Sequence, residues 1–242
     1  MRDMPPRIPI EFVATELLYF LVISGICIYI FLKTKEYYDL TKHGGIYFFR
    51  FTFLYFALAF LFRMTGAAVI MLDGIDIFRL PRNWLVYNLA FVCFFSMLAV
   101  LSLAVTVFSR KIKMRVENLH TILIFVAVLA TIMVLWANSY SLLILIQAGI
   151  LVLTAVIALI SRNLTFNRAN FLILFMLWLI NVVLLFRFLA VPIDVRLIMY
   201  SISITFFLLL LSVSSGKSCS QSASGTSLSL SYRDSHFFLL LD

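Results

Sequence analysis

The chain has 242 residues, of which 64% are hydrophobic and only 12% are charged. Together with a mean hydropathy of +1.09, this composition excludes an ordinary soluble globular domain. The net charge of +8 could indicate a nucleic-acid partner. The basic residues, however, stand in short segments between apolar runs, where membrane topology requires them. We therefore expect the lipid bilayer as the principal partner and no nucleic acid.

Seven long apolar runs follow one another along the chain, each long enough to cross a hydrocarbon core about 30 Å thick. Such runs must be helical, because lipid offers no partner for free backbone N–H and C=O groups. The sequence thus predicts an all-α bundle of seven transmembrane helices, a multi-pass protein of the cell membrane. The predicted spans are residues 10–32, 46–70, 85–108, 120–137, 140–161, 169–189 and 195–213.

The two ends of the chain differ in character. The first run is too long for the apolar region of a signal peptide and carries Glu11 and Glu16, so we expect it to remain as a mature helix. Residues 1–213 form the predicted membrane domain. Residues 214–242 are rich in serine, and we predict a disordered cytoplasmic tail that is either native or foreign to the membrane domain.

Basic residues are denser in every second connection, which predicts the orientation. The positive-inside rule places these connections and the C-terminus in the cytoplasm and the N-terminus outside. Trp84 and Trp136 then lie at the outer ends of their spans, as in an interfacial aromatic belt. The basic residues of the cytoplasmic connections are Lys33, Lys35, Lys42, Arg110, Lys111, Lys113, Arg115, Arg162 and Arg168.

Several spans carry a polar side chain in their outer half, and an ionisable residue inside a span is a site hypothesis by default. We predict an ion pair between Glu16 and Arg63, because an unpaired charge at this depth would be costly. Amide side chains would complete its hydrogen bonds. Three interpretations remain open: stitching of helices, a ligand pocket open to the outside, and an ion or proton path. The predicted layer consists of Glu16, Arg63, Asn88, Gln147 and Asn181.

Two further features stand at the cytoplasmic ends of spans. The connection after the third span holds the densest basic run, which predicts contact with lipid headgroups or with a cytoplasmic protein partner. Gly44-Gly45 before the second span predicts a tight turn, since glycine adopts positive φ at low cost. The basic run comprises Arg110, Lys111, Lys113 and Arg115.

Known chemistries of seven-helix and intramembrane proteins do not fit the residues. The last predicted span contains no lysine that could form a Schiff base with retinal. No span carries an aspartate or a His-Glu-x-x-His pattern that could serve hydrolysis. Cys27, Cys93 and Cys219 show neither a disulfide framework nor a zinc spacing. We therefore expect a protein that is not an enzyme and has no cofactor or metal.

One stretch carries a resemblance. His43-Gly44-Gly45-Ile46-Tyr47-Phe48-Phe49-Arg50, with the aromatic run from Phe53 to Arg63, resembles uncharacterised seven-helix proteins of archaea. Those proteins are similar to the membrane sensor regions found ahead of some microbial signalling kinases. The resemblance implies a sensor, and since no kinase domain follows the spans, the signal would pass to a separate partner.

The function predicted from the sequence is a non-enzymatic membrane sensor or receptor-like protein. It would detect a small extracellular molecule or the membrane state through the outer polar layer, and signal through the basic cytoplasmic loops. Two alternatives remain. One is a small transporter or channel that uses the same polar layer, and the other is a structural subunit of a membrane complex.

Overall fold

A computed structural model describes residues 10–42, 44–74, 82–108, 115–137, 140–160, 197–205 and 207–208. Within these ranges every regular element is a helix, which confirms the all-α class. A further helical stretch covers residues 197–205. The five longer helices are α1 (Ile10–Thr41), α2 (Gly44–Gly74), α3 (Arg82–Phe108), α4 (Val116–Ala137) and α5 (Tyr140–Ile160).

Four of these helices are long and apolar enough to cross a membrane: Val13–Leu40, Gly44–Val69, Val86–Thr106 and Val116–Ala137. α5 is apolar over the shorter stretch Ser141–Val156. A membrane-embedded helical protein is therefore the conclusion that the structure supports. The sixth predicted span and the serine-rich tail lie outside the described residues, so the count of seven stays a prediction.

α1 is longer than the span predicted from hydropathy, because it continues from residue 32 to Thr41. Its 32 residues correspond to about 48 Å of helix, against about 30 Å of hydrocarbon. The added part contains Lys33, Lys35 and Glu36, residues with good helix propensity. Hydropathy marks where the lipid ends, whereas the helix ends where its backbone hydrogen bonding stops.

The turn between α1 and α2 corrects one expectation. The residue with positive φ is Lys42 (φ 53°), whereas Gly44 and Gly45 already belong to the first turn of α2. The Lys42 N–H donates to the carbonyl oxygen of Tyr38 at 2.8 Å, which is the capping bond of a helix that ends in a left-handed residue. Gly44 is needed for a close approach instead, since a Cβ there would lie 3.2 Å from Cγ2 of Val116.

Contacts between the helices give the directions of α3 and α4 relative to α2. α2 packs against α1 and α3, and α3 also packs against α4 and α5. Asn88, near the start of α3, bonds to Thr65, near the end of α2. His120, near the start of α4, bonds to Tyr55 in the first half of α2. α3 is therefore antiparallel to α2, and α4 is parallel to it.

α4 shows why the bundle needs lipid around it. One stripe of the helix is buried at helical spacing: Leu123, Ala127, Ala130, Thr131 and Val134. The remaining faces expose large apolar side chains. Soluble proteins rarely expose a continuous apolar surface of this size. Trp136, in the last turn, is 89% exposed. The exposed set of this helix comprises Ile122, Ile124, Phe125, Val126, Val128, Leu129, Ile132, Met133 and Trp136.

The Lys42→Gly variant is expected to be more stable than the wild type, because a left-handed conformation costs a side-chain-bearing residue about 1 kcal/mol. The check is thermal unfolding of the purified protein in detergent. The matched control is Lys35→Gly, an exposed lysine inside α1, which should lower stability by about 1 kcal/mol. A lower melting temperature for Lys42→Gly would show that the lysine contacts with Asp39 and Tyr38 outweigh the backbone cost.

Candidate functional site

Arg63 is the centre of the polar groups inside the bundle. It stands in the second half of α2, inside an apolar span. Its guanidinium carbon lies 5.7 Å from the centre of the Phe60 ring. The groups within electrostatic range of the guanidinium come from α1, α3 and the stretch 197–205: Glu16, Tyr19, Cys93 and Tyr200. Three other helical segments thus contribute groups that surround one cation of α2.

Glu16 provides the opposite charge. It is only 5% exposed and stands in the second turn of α1. Glu16 is among the charges that act on the Arg63 guanidinium, so the start of α1 lies beside the second half of α2. The structure thus brings the two predicted charges together, while the direct ion pair between them stays a prediction.

Tyr19 contributes an aromatic ring and a hydroxyl group to this site. Its ring stacks on that of Tyr200 with 4.3 Å between centroids, and its hydroxyl lies 2.9 Å from Oγ of Ser203. Sequence reasoning missed Tyr19 although a signal was available. Tyr19 follows Glu16 by three residues, which places both on one face of α1. The contacts of Tyr19 with Tyr200 and Ser203 join distant parts of the chain, and no local sequence pattern predicts them.

Asn88 lies beside the same part of α2. Its Nδ2 donates to Oγ1 of Thr65 at 3.2 Å, two residues beyond Arg63 in the chain. Gly66 makes this approach possible, because a Cβ at that position would lie 2.8 Å from the same Nδ2. The Oδ1 atom of Asn88 is buried and has no hydrogen-bond partner among the described residues.

Gln147 of α5 binds α3 at a different place from the contact between Asn88 and Thr65. It is fully buried, and its Nε2 donates to Oγ of Ser96 at 2.7 Å. Ser96 follows Asn88 by about 12 Å along α3, so this bond is deeper than the contact between Asn88 and Thr65. It stitches α5 to α3 in the manner of other interhelical bonds in membranes. Asn181, the last member of the predicted layer, lies outside the described residues.

The basic run is described only at its last residue. Arg115 is exposed immediately before α4, while Arg110, Lys111 and Lys113 lie outside the described residues. The predicted contact of this run with headgroups or a protein partner therefore stays a prediction.

His120, one turn into α4, is held from α2 on both ring nitrogens. The hydroxyl of Tyr55 lies 2.9 Å from Nε2 and that of Tyr47 lies 3.4 Å from Nδ1. The ring also has edge contacts with Phe51 at 5.5 Å between centroids. Across the described part of the chain, no three side chains of His, Cys, Asp or Glu gather as metal ligands would. The constellation joins two helices, and it lies at the opposite end of α2 from Arg63.

Comparisons with known proteins add a distant relative. An uncharacterised protein of Archaeoglobus fulgidus is 28% identical over 220 residues, covering 85% of this chain and 93% of the relative. No protein-family model matches the chain, and no solved structure matches it. The archaeal part of the resemblance is thus shown at a distance, whereas the likeness to kinase sensor regions stays a prediction.

Gly66→Ala is expected to destabilise the protein by about 1 kcal/mol, because the new methyl group would displace a buried amide from its hydrogen bond. Thermal unfolding in detergent measures the change. Gly25→Ala and Gly149→Ala are matched controls in α1 and α5, where an added Cβ meets nothing within 4 Å, and they should be neutral or stabilising. Equal melting temperatures for all three variants would contradict the close packing of Gly66 on Asn88.

Proposed function

We propose that the protein is a non-enzymatic membrane sensor whose ligand site is the cluster around Glu16 and Arg63. The observation that supports this proposal is that groups from three other helical segments surround one arginine inside an apolar span of α2. Charges at membrane depth are costly and are usually retained for a function. A bundle that needed only packing could place leucine at both positions.

The cluster suits a sensor because its residues belong to several different helices. A ligand can shift a conformational equilibrium only through contacts that differ between the two states. Contacts with Arg63 on α2, Glu16 on α1 and Tyr200 would each depend on how these segments are arranged. A small molecule with polar or charged groups, entering from the nearer side of the membrane, would therefore favour one arrangement.

The proposed output lies at the other end of the same helices. α3 carries Cys93 and Asn88 near the cluster and ends at Phe108, just before the basic run of Arg110, Lys111, Lys113 and Arg115. A movement of α3 would shift this run against a cytoplasmic protein partner or the headgroups. The proposal includes seven spans, an N-terminus outside and a C-terminus in the cytoplasm, in line with the positive-inside rule.

A second candidate is a small transporter or channel, and one observation favours it. Polar side chains continue along α3 from Asn88 to Ser96, about 12 Å farther into the bundle, where Gln147 of α5 donates to Ser96. The buried oxygens Oδ1 of Asn88 and Oε1 of Gln147 have no partner among the described residues. Two such acceptors at successive depths are what a path for a polar solute would require.

The ligand site is tested by thermal stabilisation of the purified protein against a library of amino acids, organic acids, amines and sugars. We expect at least one compound to raise the melting temperature of the wild type and to lose this effect in Arg63→Gln and Glu16→Gln. The matched control is Glu36→Gln, an exposed glutamate at the far end of α1, which should respond like the wild type. A compound that stabilises all variants equally, or a library without any effect, would overturn the proposed site.

The same compound separates the two functions when the protein is placed in vesicles. Uptake of the labelled compound into protein-containing vesicles, but not into empty ones, would contradict the sensor proposal and support the transporter. Binding without uptake would support the sensor.

The orientation predicts which cysteines a membrane-impermeant maleimide can reach in intact cells. In a chain whose native cysteines are replaced by alanine, Arg82→Cys at the start of α3 should be labelled directly. Lys42→Cys, exposed at the turn after α1, should be labelled only after the membrane is permeabilised. The reverse pattern would place the N-terminus in the cytoplasm.

A further inference from the structure

We propose that α1 and α2 form a binding site for the phosphate of an anionic phospholipid, with Arg50 and Lys35 as its cations. This site lies at the end of the bundle opposite Arg63, and it does not depend on the proposed sensor role. The argument rests on the fixed orientation of Arg50, on the position of Lys35 and on the depth of both residues.

Arg50 is held in place by α1. Its Nε donates to the carbonyl oxygen of Phe31 at 3.1 Å, and its guanidinium carbon lies 4.1 Å from the centre of the Phe31 ring. The same carbonyl accepts a bond from Oγ1 of Thr34 at 3.2 Å. Phe31 itself is fixed against Phe51 of α2, with 6.0 Å between ring centroids. The guanidinium is therefore oriented before any ligand arrives.

This orientation leaves the binding edge of the guanidinium for another acceptor. An arginine carries five N–H donors, of which Nε supplies one. The N–H groups of the terminal amines make no hydrogen bond to any residue within the described ranges. A planar fork of this kind matches the oxygens of a phosphate group, to which arginine binds in a bidentate manner.

Lys35 is the second cation of the proposed site. It follows Phe31 by one helical turn and lies on the same face of α1, and its side chain is exposed. The acidic neighbours do not cancel it. Glu36 is the next residue in the chain and is therefore about 100° away from Lys35 around the helix, and Asp39 is engaged with Lys42 at 3.3 Å.

The level of this site follows from the charges of α1. No charged residue stands between Glu16 and Lys33 in α1, so the part of this helix that suits the hydrocarbon ends near Lys33. Phe31 and Lys35 flank that position, and Arg50 is bonded to Phe31. The guanidinium is therefore near the boundary of the hydrocarbon, where lipid phosphates begin.

The surface of α1 below the two cations is suited to an acyl chain. A stripe at helical spacing runs from Lys35 towards the membrane centre, and its members are exposed apolar residues or glycine. A Cβ at Gly25 would meet nothing within 4 Å, so this part of the stripe is open. A soluble phosphate could use the cations but not this stripe. The stripe comprises Leu21, Gly25, Ile28 and Leu32.

The test measures thermal stabilisation of the full chain in a neutral detergent during titration with phosphatidylglycerol, phosphatidylcholine or inorganic phosphate. We expect phosphatidylglycerol to raise the melting temperature and the other two to have little effect. In Arg50→Gln the concentration of phosphatidylglycerol for half of this effect should rise about tenfold, the equivalent of one charged hydrogen bond. Phe31→Leu should show a smaller rise, because it removes the ring under the guanidinium without changing the net charge.

Arg115→Gln is the control, since it removes an exposed arginine at the same end of the bundle outside the proposed site. An equal loss in Arg115→Gln would show general attraction to anionic lipid and overturn the site. An equal response of Phe31→Leu, Lys35→Gln and the wild type would also overturn it. Stabilisation by inorganic phosphate alone would replace the lipid by a free anion. If Arg50→Gln does not fold, Phe31→Leu and Lys35→Gln decide the result.

Discussion

The constraint on which this structure depends is the absence of water around most of its side chains. In hydrocarbon, each backbone group and each charge needs a partner supplied by the protein. Helices satisfy the backbone, and buried hydroxyls bond back to the preceding turn, as Thr52 does to Phe48 at 2.9 Å and Thr131 to Ala127 at 2.8 Å. The polar side chains that remain have to meet one another between helices, and this requirement concentrates them at a few places.

Two of these places lie on α2, one around Arg50 in its first half and one around Arg63 in its second half. Arg50 is fixed by α1 through Phe31, so its position depends on one neighbour. Arg63 meets groups from α1, α3 and residues 197–205, so its surroundings depend on the whole bundle. A group with many neighbours responds to their arrangement, which is why the cluster around Arg63 carries the proposed sensing role and Arg50 the proposed lipid site.

The helical class and the positions of the first five helices could be predicted from hydropathy, because lipid exposure requires long apolar runs. The end of α1 could not be predicted in this way, because the helix continues through Lys33 and Glu36, beyond the part that suits hydrocarbon. Glu16 and Arg63 could be singled out as costly charges. Their neighbours Tyr200 and Ser203 could not, because contacts across more than a hundred residues leave no periodicity. Gln147 was recognised as polar and buried, but its partner Ser96 is an ordinary small residue of a packed helix.

The histidine at the start of α4 has a mechanical consequence. A neutral imidazole offers one donor and one acceptor, so the hydroxyls of Tyr55 and Tyr47 take opposite roles at its two nitrogens. Sliding α4 by a single turn would carry the ring about 5.4 Å and break both bonds together. The two bonds therefore oppose sliding of the first turn of α4 along the first half of α2.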